Sequence, residues 1–485
     1  MNRSRWGIGL AVALGAVAAL GQAPWGLWFG TMPALAAAFW LMAGAVSGRR
    51  AALLGFAVGV GYFGLALSWI VSPFLIEPEK YGWMAPFALL LMAAGGGVFW
   101  ALAGWIGARG GLFGLVAAFT GVELARGYVL TGFPWALIGH VWVGTPVAQG
   151  AALVGPSGLT LLTCAVAALL ATRRWPQGLA AVVVLALCWG FGLQRLAGPE
   201  PVAPGATLRL VQPNAAQVTK WDAGRARDHF DRLLRLSGGA PVDLVIWPET
   251  ALPYLIDAYP ELGPVIAGAA GGAAVALGLQ RTEGVRAWNS LAVISPQGAI
   301  TAAYNKHHLV PFGEYIPFGD LAFEWFGISA FAAQQGRSYS AGEGAAVLAL
   351  GGRLGKMLPL ICYEAVFPQD LRAAPERADW ILQITNDAWF GTVSGPFQHL
   401  AQAQLRAIEQ GLPLVRVANT GITALVDARG RVVARLPMGE EGALDVALPG
   451  ARAAPPYARW GEAPLLLLLA GLALVAIRRQ TGAAS

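Results

Sequence analysis

The chain has 485 residues, of which 56% are hydrophobic and only 12% charged. Soluble domains carry roughly 25% charged residues, and a compact soluble globule could not bury this much apolar surface under so thin a charged skin. An ordinary soluble enzyme, a disordered chain and a disulfide scaffold (there are three cysteines in all) are excluded, and a membrane protein is the reading that remains.

The apolar excess is uneven. A helix needs about 20 apolar residues to cross a bilayer. Candidate spans lie at 6–22, 27–46, 52–71, 83–106, 111–129, 149–171, 178–194 and 463–477. Arg3 and Arg5 before the first apolar stretch imitate a signal peptide, but further spans follow at once and Pro24-Trp25 is a poor cleavage site. An N-terminus in the cytoplasm puts Arg3, Arg5, Arg49, Arg50, Arg109, Arg173, Arg174, Arg478 and Arg479 on the cytoplasmic side, and only Lys80 and Arg126 opposite. That bias predicts both termini in the cytoplasm and the chain between spans seven and eight outside it, in a bacterium the periplasm. These arginines also account for the net charge of +6; no basic run with aromatic interleaving points to nucleic acid. Glu123 and Arg126 interrupt the fifth span, and Thr131–Trp135 reads as an interfacial loop, either an aromatic belt anchor or a substrate portal.

Residues 206–450 have the composition of a soluble domain. The expected organisation is therefore a seven-span membrane domain at 1–195, a periplasmic catalytic domain at 206–450 and a closing span at 463–478. Strands are predicted at Leu208–Gln212, Leu244–Trp247, Ala273–Leu277, Leu291–Ile294, Leu358–Cys362, Trp380–Ile384, Leu414–Val417 and Thr423–Val426, with helical patterns at 222–237 and 397–410. This is an α/β or layered α-β-β-α domain. Several strands end in polar residues, as at Trp247-Pro248-Glu249, Ile361-Cys362-Tyr363-Glu364 and Thr385-Asn386-Asp387, which is where such sheets build sites.

Cys164 and Cys188 fall inside spans, so Cys362 is the only cysteine of the outer domain. A lone thiol in an oxidising compartment is a liability, and its strand-end position favours a nucleophile over an inert buried cysteine. Lysine is scarce (Lys80, Lys220, Lys306 and Lys356), so Lys306 is either selected for chemistry or an ordinary surface lysine. Glu249 beside apolar residues suits a proton shuttle, the alternative being a capping acid. His140, His229, His307, His308 and His399 form no ligand spacing, and no glycine-rich phosphate loop appears, so neither metal nor cofactor is expected.

Trp247-Pro248-Glu249-Thr250, Lys306 through Glu314, and Ile361-Cys362-Tyr363-Glu364, about 55 residues apart, together resemble the Glu-Lys-Cys triad of the nitrilase (carbon–nitrogen hydrolase) superfamily. Thr385–Gly391 and Arg416–Ile422 are further matches. With seven spans before the triad and one after, the chain is similar over nearly its whole length to the bacterial apolipoprotein N-acyltransferase family. The resemblance implies an eight-span multi-pass α-helical membrane domain carrying a nitrilase-like α-β-β-α sandwich. It implies transfer of the sn-1 acyl chain of a phospholipid, typically phosphatidylethanolamine, to the N-terminal diacylglyceryl-cysteine of an apolipoprotein. The enzyme is expected in the bacterial inner membrane, in contact with membrane lipid and as a monomer. Cys362 would form a thioester, Glu249 would act as general base and Lys306 would stabilise the oxyanion and lower the thiol pKa. Glu314 would orient Lys306, and Tyr363 and Glu364 would support the site. Trp247, Trp389 and Phe390 are candidates to line the acyl pocket, with core packing the alternative. A membrane-anchored amidase with the same triad is the competing reading.

Overall fold

A computed structural model describes residues 2–217, 222–284, 286–316 and 338–482. Lys220 and the side chains of Arg3, Arg5, Arg478 and Arg479 lie outside that description. The chain divides into two compact units, one of Met1–Pro199, Phe390–Gln410 and Ala454–Ser485, the other of Glu200–Trp389 and Gly411–Ala453.

The first unit is helical. Its long helices are Asn2–Ala19, Trp28–Ala43, Gly48–Ala66, Ala85–Gly107, Gly111–Arg126, Ala151–Ala171, Trp175–Ala197, Gly395–Gln410 and Ala463–Gly482. Among the described residues, three helical stretches are long and apolar enough to cross a membrane: Pro78–Arg126, Pro146–Ala171 and Trp175–Ala197. A fourth counts if the bent pair Gly48–Ala66 and Ser68–Leu75 forms one span. Small residues let these helices touch backbone to backbone. A Cβ on Gly55 would lie 2.3 Å from the carbonyl oxygen of Trp100, so any larger residue forces the helices Gly48–Ala66 and Ala85–Gly107 apart.

Glu123 and Arg126 are buried and fasten the loop that follows their helix. Trp100 Nε1 donates to Glu123 at 2.8 Å, Arg126 pairs with Glu123 at 2.9 Å, and Arg126 Nη1 donates to the carbonyl oxygens of Phe133 and Trp135. Trp135 is wholly buried, packs at a tilt against Trp69 with ring centroids 4.6 Å apart, and donates from Nε1 to Gln398. A belt tryptophan would instead present its ring to the lipid–water interface, so at Trp135 the belt reading gives way to one of internal packing.

The second unit is built on two six-stranded sheets. The strands are β1 Thr207–Gln212, β2 Leu244–Ile246, β3 Ala274–Glu283, β4 Arg286–Ile294, β5 Ile300–Asn305, β6 Leu348–Gly351, β7 Gly355–Ile361, β8 Trp380–Thr385, β9 Leu414–Ala418, β10 Thr423–Val426, β11 Val432–Leu436 and β12 Gly442–Ala447. Their orders are β12-β1-β2-β3-β4-β5 and β11-β10-β9-β8-β7-β6. Each sheet has three parallel strands at its centre, β1-β2-β3 and β7-β8-β9, flanked by antiparallel neighbours. The central strands β2 and β8 are buried along their whole length, as strands covered on both faces must be. The outer strands β11 and β12 alternate between less and more exposed positions. The helices Ala223–Ser237 and Leu262–Ala269 belong to the first sheet, and their residues Phe230, Leu233 and Ile266 pack with Val245, Trp247, Val275 and Leu277.

The eight predicted strands all exist, several with longer bounds, but Trp247 and Cys362, predicted as strand residues, lie just past the ends of β2 and β7. The strands β5, β6, β11 and β12 are additions. The helical pattern at 397–410 also exists, but as Gly395–Gln410 it groups with the helical unit.

Candidate active site

Three strand ends converge within the second unit. Glu249 follows β2, Lys306 follows β5, and Cys362 opens the turn that follows β7. Each is buried, at 6%, 1% and 5% exposure. Lys306 Nζ lies 3.7 Å from Glu249 Oε1 and 2.8 Å from Glu314 Oε2. Asn289, on β4, joins the two acids: its Nδ2 donates to Glu249 at 2.7 Å and to Glu314 at 3.0 Å. Glu249 is held from its other oxygen by the backbone N–H of Asn386, at 2.8 Å. Glu314 also accepts the backbone N–H of Val310 at 2.8 Å. Both carboxylates are thus fixed by donors, and Lys306 has one close and one more distant counter-charge.

The backbone places these groups in confined positions. Cys362 has φ +53° and Thr250 φ +44°, left-handed conformations that cost a side-chain-bearing residue about 1–2 kcal/mol. Backbone outliers of this kind cluster at functional sites. On β3, a Cβ at Gly278 would meet Pro248 O at 2.4 Å, Thr250 N at 2.5 Å and Glu249 Cα at 2.6 Å. Only glycine lets the Glu249 turn lie this close to the sheet.

Burial alone would depress the Lys306 pKa, but the charges of Glu314, Glu249 and Cys362 more than reverse this and hold it above the ordinary value. Burial raises the Cys362 thiol, and Glu249 raises it further; Lys306 and the hydrogen bond to Thr385 only partly offset them. The expected lowering of the thiol pKa by Lys306 is therefore outweighed. The site rests as an ammonium and a neutral thiol, so a thiolate must be made by proton transfer to a base.

The carboxylate of Glu364 is fully buried behind Cys362. It accepts the Tyr304 hydroxyl at 2.7 Å, the backbone N–H groups of His307 at 2.9 Å and His308 at 3.3 Å, and the backbone N–H of Ile361 at 2.7 Å. It thereby ties the end of β5 to the end of β7. Burial pushes its pKa up, but His307 and the donated hydrogen bonds bring it below the ordinary carboxylate value. Tyr363 packs edge-on against Phe367, with centroids 4.9 Å apart. Asp387 is buried, pairs with Arg416 and accepts from Thr385 at 3.0 Å. Asn386 is held by Asn419, whose Nδ2 donates to its Oδ1 at 3.0 Å.

Of the three predicted pocket aromatics, Trp247 is wholly buried in the apolar core beneath Phe230, and its Nε1 donates to Ser237 at 2.8 Å. Trp389 is half-buried. Phe390 groups with the helical unit, against Trp69 at 5.0 Å and Trp135 at 5.4 Å. Sequence reasoning missed Asn289 and Tyr304, whose only signal is a polar side chain inside an apolar strand. Among the described residues no group of three or more His, Cys, Asp or Glu could hold a metal ion.

Two family models match: carbon–nitrogen hydrolase over residues 207–455, and the apolipoprotein N-acyltransferase N-terminal domain over 14–169. The apolipoprotein N-acyltransferase of Bradyrhizobium diazoefficiens is 39% identical over 513 residues, spanning 97% of this chain and 94% of that protein. That of Caulobacter vibrioides is 37% identical over 459 residues, spanning 88% and 86%. Among solved structures, a carbon–nitrogen hydrolase superfamily protein of Xanthomonas campestris aligns with TM-score 0.38 and 22% identity, over 54% of this chain and 96% of that one. The chain belongs to the apolipoprotein N-acyltransferase family, acyltransferases of the carbon–nitrogen hydrolase superfamily.

Proposed function

We propose that the chain moves the sn-1 acyl chain of a phospholipid, phosphatidylethanolamine in the first instance, through a Cys362 thioester to the α-amino group of the diacylglyceryl-cysteine that begins an apolipoprotein. The observation that carries this reading is the buried convergence of Glu249, Lys306 and Cys362 on three strand ends. Glu249 takes the thiol proton as sulfur attacks the ester carbonyl. The oxyanion that forms lies against the Lys306 ammonium, with the backbone N–H of Tyr363 as a second donor. Collapse expels the lysophospholipid alkoxide, which recovers the proton from Glu249. The acceptor amine then attacks the thioester, gives its proton to Glu249, and the thiol is restored. Splitting one encounter of two lipid substrates into two steps is what covalent catalysis contributes. Glu314 and Asn289 orient Lys306 and Glu249; Tyr363 and Glu364 support the Cys362 turn.

The organisation that serves this chemistry is a seven-span membrane domain at 1–195, a periplasmic catalytic domain at 206–450 and a closing span at 463–478. Eight spans in all, in the bacterial inner membrane, keep both termini in the cytoplasm, as the arginine bias supports. The enzyme acts as a monomer. Trp389 borders the acyl chain. Incubation with labelled phosphatidylethanolamine should leave an acyl mass on the Cys362 peptide that Cys362→Ala lacks, and a diacylated peptide should discharge it as an amide. An absent adduct, or an equal one in Cys362→Ala, overturns the relay. Discharge only to free fatty acid makes the protein a hydrolase.

A further inference from the structure

His307 lies next to Lys306 and plays no part in the mechanism above. Its ring sits between two carboxylates on different elements. Nδ1 is 2.8 Å from Glu364 Oε1, in the turn after β7, and 2.7 Å from the Tyr304 hydroxyl on β5. Nε2 is 3.6 Å from Asp370 Oδ2, on the helix Pro368–Arg372. The neighbouring His308 holds the same Asp370 oxygen through Nδ1, at 2.8 Å, and stacks on Phe367. Tyr304 gives its only proton to Glu364. A neutral imidazole has one N–H, so it must turn a lone pair either onto Glu364 and Tyr304 or towards Asp370. Only the imidazolium offers a proton to both sides.

We propose that His307 is a positioning residue, an imidazolium shared by Glu364 and Asp370 that clamps the Lys306 strand end to the Cys362 turn. The clamp is sensitive to pH. Burial lowers the His307 pKa, but the hydrogen bond and charge of Glu364 and the charge of Asp370 raise it above the ordinary histidine value overall. A raised folded-state pKa contributes stability that is fully present below about 6.5 and is lost as pH rises through the folded value. The inference rests on the acyl-transfer reading only for its kinetic consequence.

The test compares the full-length wild type with His307→Gln, His307→Arg and Asp370→Asn in detergent. Two readouts are followed from pH 5.5 to 9.5: apparent Tm, and acyl transfer from labelled phosphatidylethanolamine to a diacylated peptide. His307→Gln should unfold at lower temperature than the wild type at pH 6, with the gap closing towards pH 9. It should also transfer acyl groups about tenfold more slowly at pH 6.5, as a displaced catalytic group does. His307→Arg, a permanent cation, should keep more activity than His307→Gln, without the alkaline decline of the wild type. Asp370→Asn should move that decline to lower pH by about one unit. A Tm gap that does not change with pH, or His307→Arg and His307→Gln behaving alike, overturns the proposal. Tm needs no substrate, so a wild type that transfers no acyl group would defeat the functional reading while the stability comparison still decides the clamp.

Discussion

Gly278→Ala probes how tightly the site is built. The added methyl group would lie 2.4 Å from Pro248 O, where ordinary contact begins at 3.4 Å, so about 1 Å must be recovered (3.4 − 2.4). All three nearest atoms are backbone of the Glu249 turn, and no flexible side chain can yield instead. The turn must lift, stretching the bond from Asn386 N–H to Glu249 and the one from Asn289. Overpacking of this kind costs about 1–3 kcal/mol in stability. A displacement of about 1 Å at a catalytic group costs on the order of 100-fold in rate. Gly278→Ala should therefore lose roughly 100-fold in formation of the Cys362 acyl adduct while remaining folded, with a modest fall in Tm. Gly268→Ala is the control: its Cβ meets nothing within 4 Å, and it lies inside the helix Leu262–Ala269. It should leave the rate unchanged and the stability equal or slightly higher. Wild-type kinetics in Gly278→Ala would refute the claim that the approach of the Glu249 turn to β3 sets the geometry of the base.

Two further substitutions test the electrostatics. Glu314→Gln removes the nearer counter-charge of Lys306 and lowers its pKa, so oxyanion stabilisation should weaken. Adduct formation should fall by roughly 10–100-fold, the scale of losing part of one oxyanion donor, and fall further as pH is raised; a wild-type pH–rate profile would be the contrary result. Glu364→Gln puts an amide where the Ile361, His307 and His308 N–H groups and the Tyr304 hydroxyl now donate to a carboxylate. Each buried donor left unsatisfied costs about 1–3 kcal/mol, so the variant should unfold well below the wild type at neutral pH. The folded pKa of Glu364 is lowered, so its stabilisation exists above the ordinary value of about 4.3 and is lost as pH falls through the folded one. The Tm gap should therefore narrow in acid, and a gap constant with pH would contradict the assignment.

Two of the segments that carry the chemistry were legible because each joins a buried strand to an abrupt polar end, Trp247-Pro248-Glu249 and Ile361-Cys362, whereas Lys306, which follows the largely exposed strand β5, stood out only as one of four lysines. Buried parallel strands read as unbroken apolar runs, and the polar residue after one has few places to go except a site. Chain order and spacing then sufficed to recognise the family. The outer strands were less visible. Val432–Leu436 and Gly442–Ala447 are only half covered, and their sequences carry arginine, aspartate and glycine, so they become strands by pairing with β10 and β1.

What only the tertiary structure decided is which side chains meet. Asn289 reads as an unremarkable polar residue in β4, yet it bridges Glu249 and Glu314, which lie 40 and 25 residues away along the chain. His307 could be ranked only once Glu364 and Asp370 were found on opposite sides of its ring. The helix Gly395–Gln410 looked like part of the soluble domain, but it buries nearly every side chain, and Gln398 bonds Trp135 and the carbonyl of Ala66 in the helical unit. The direction of the Cys362 pKa also follows from three-dimensional burial, which outweighs the lysine charge that sequence alone brings to mind. Composition and local pattern determine which residues must leave water; the electrostatics of a site depend on distances of a few ångströms between segments far apart in sequence, and those exist only once the chain has folded.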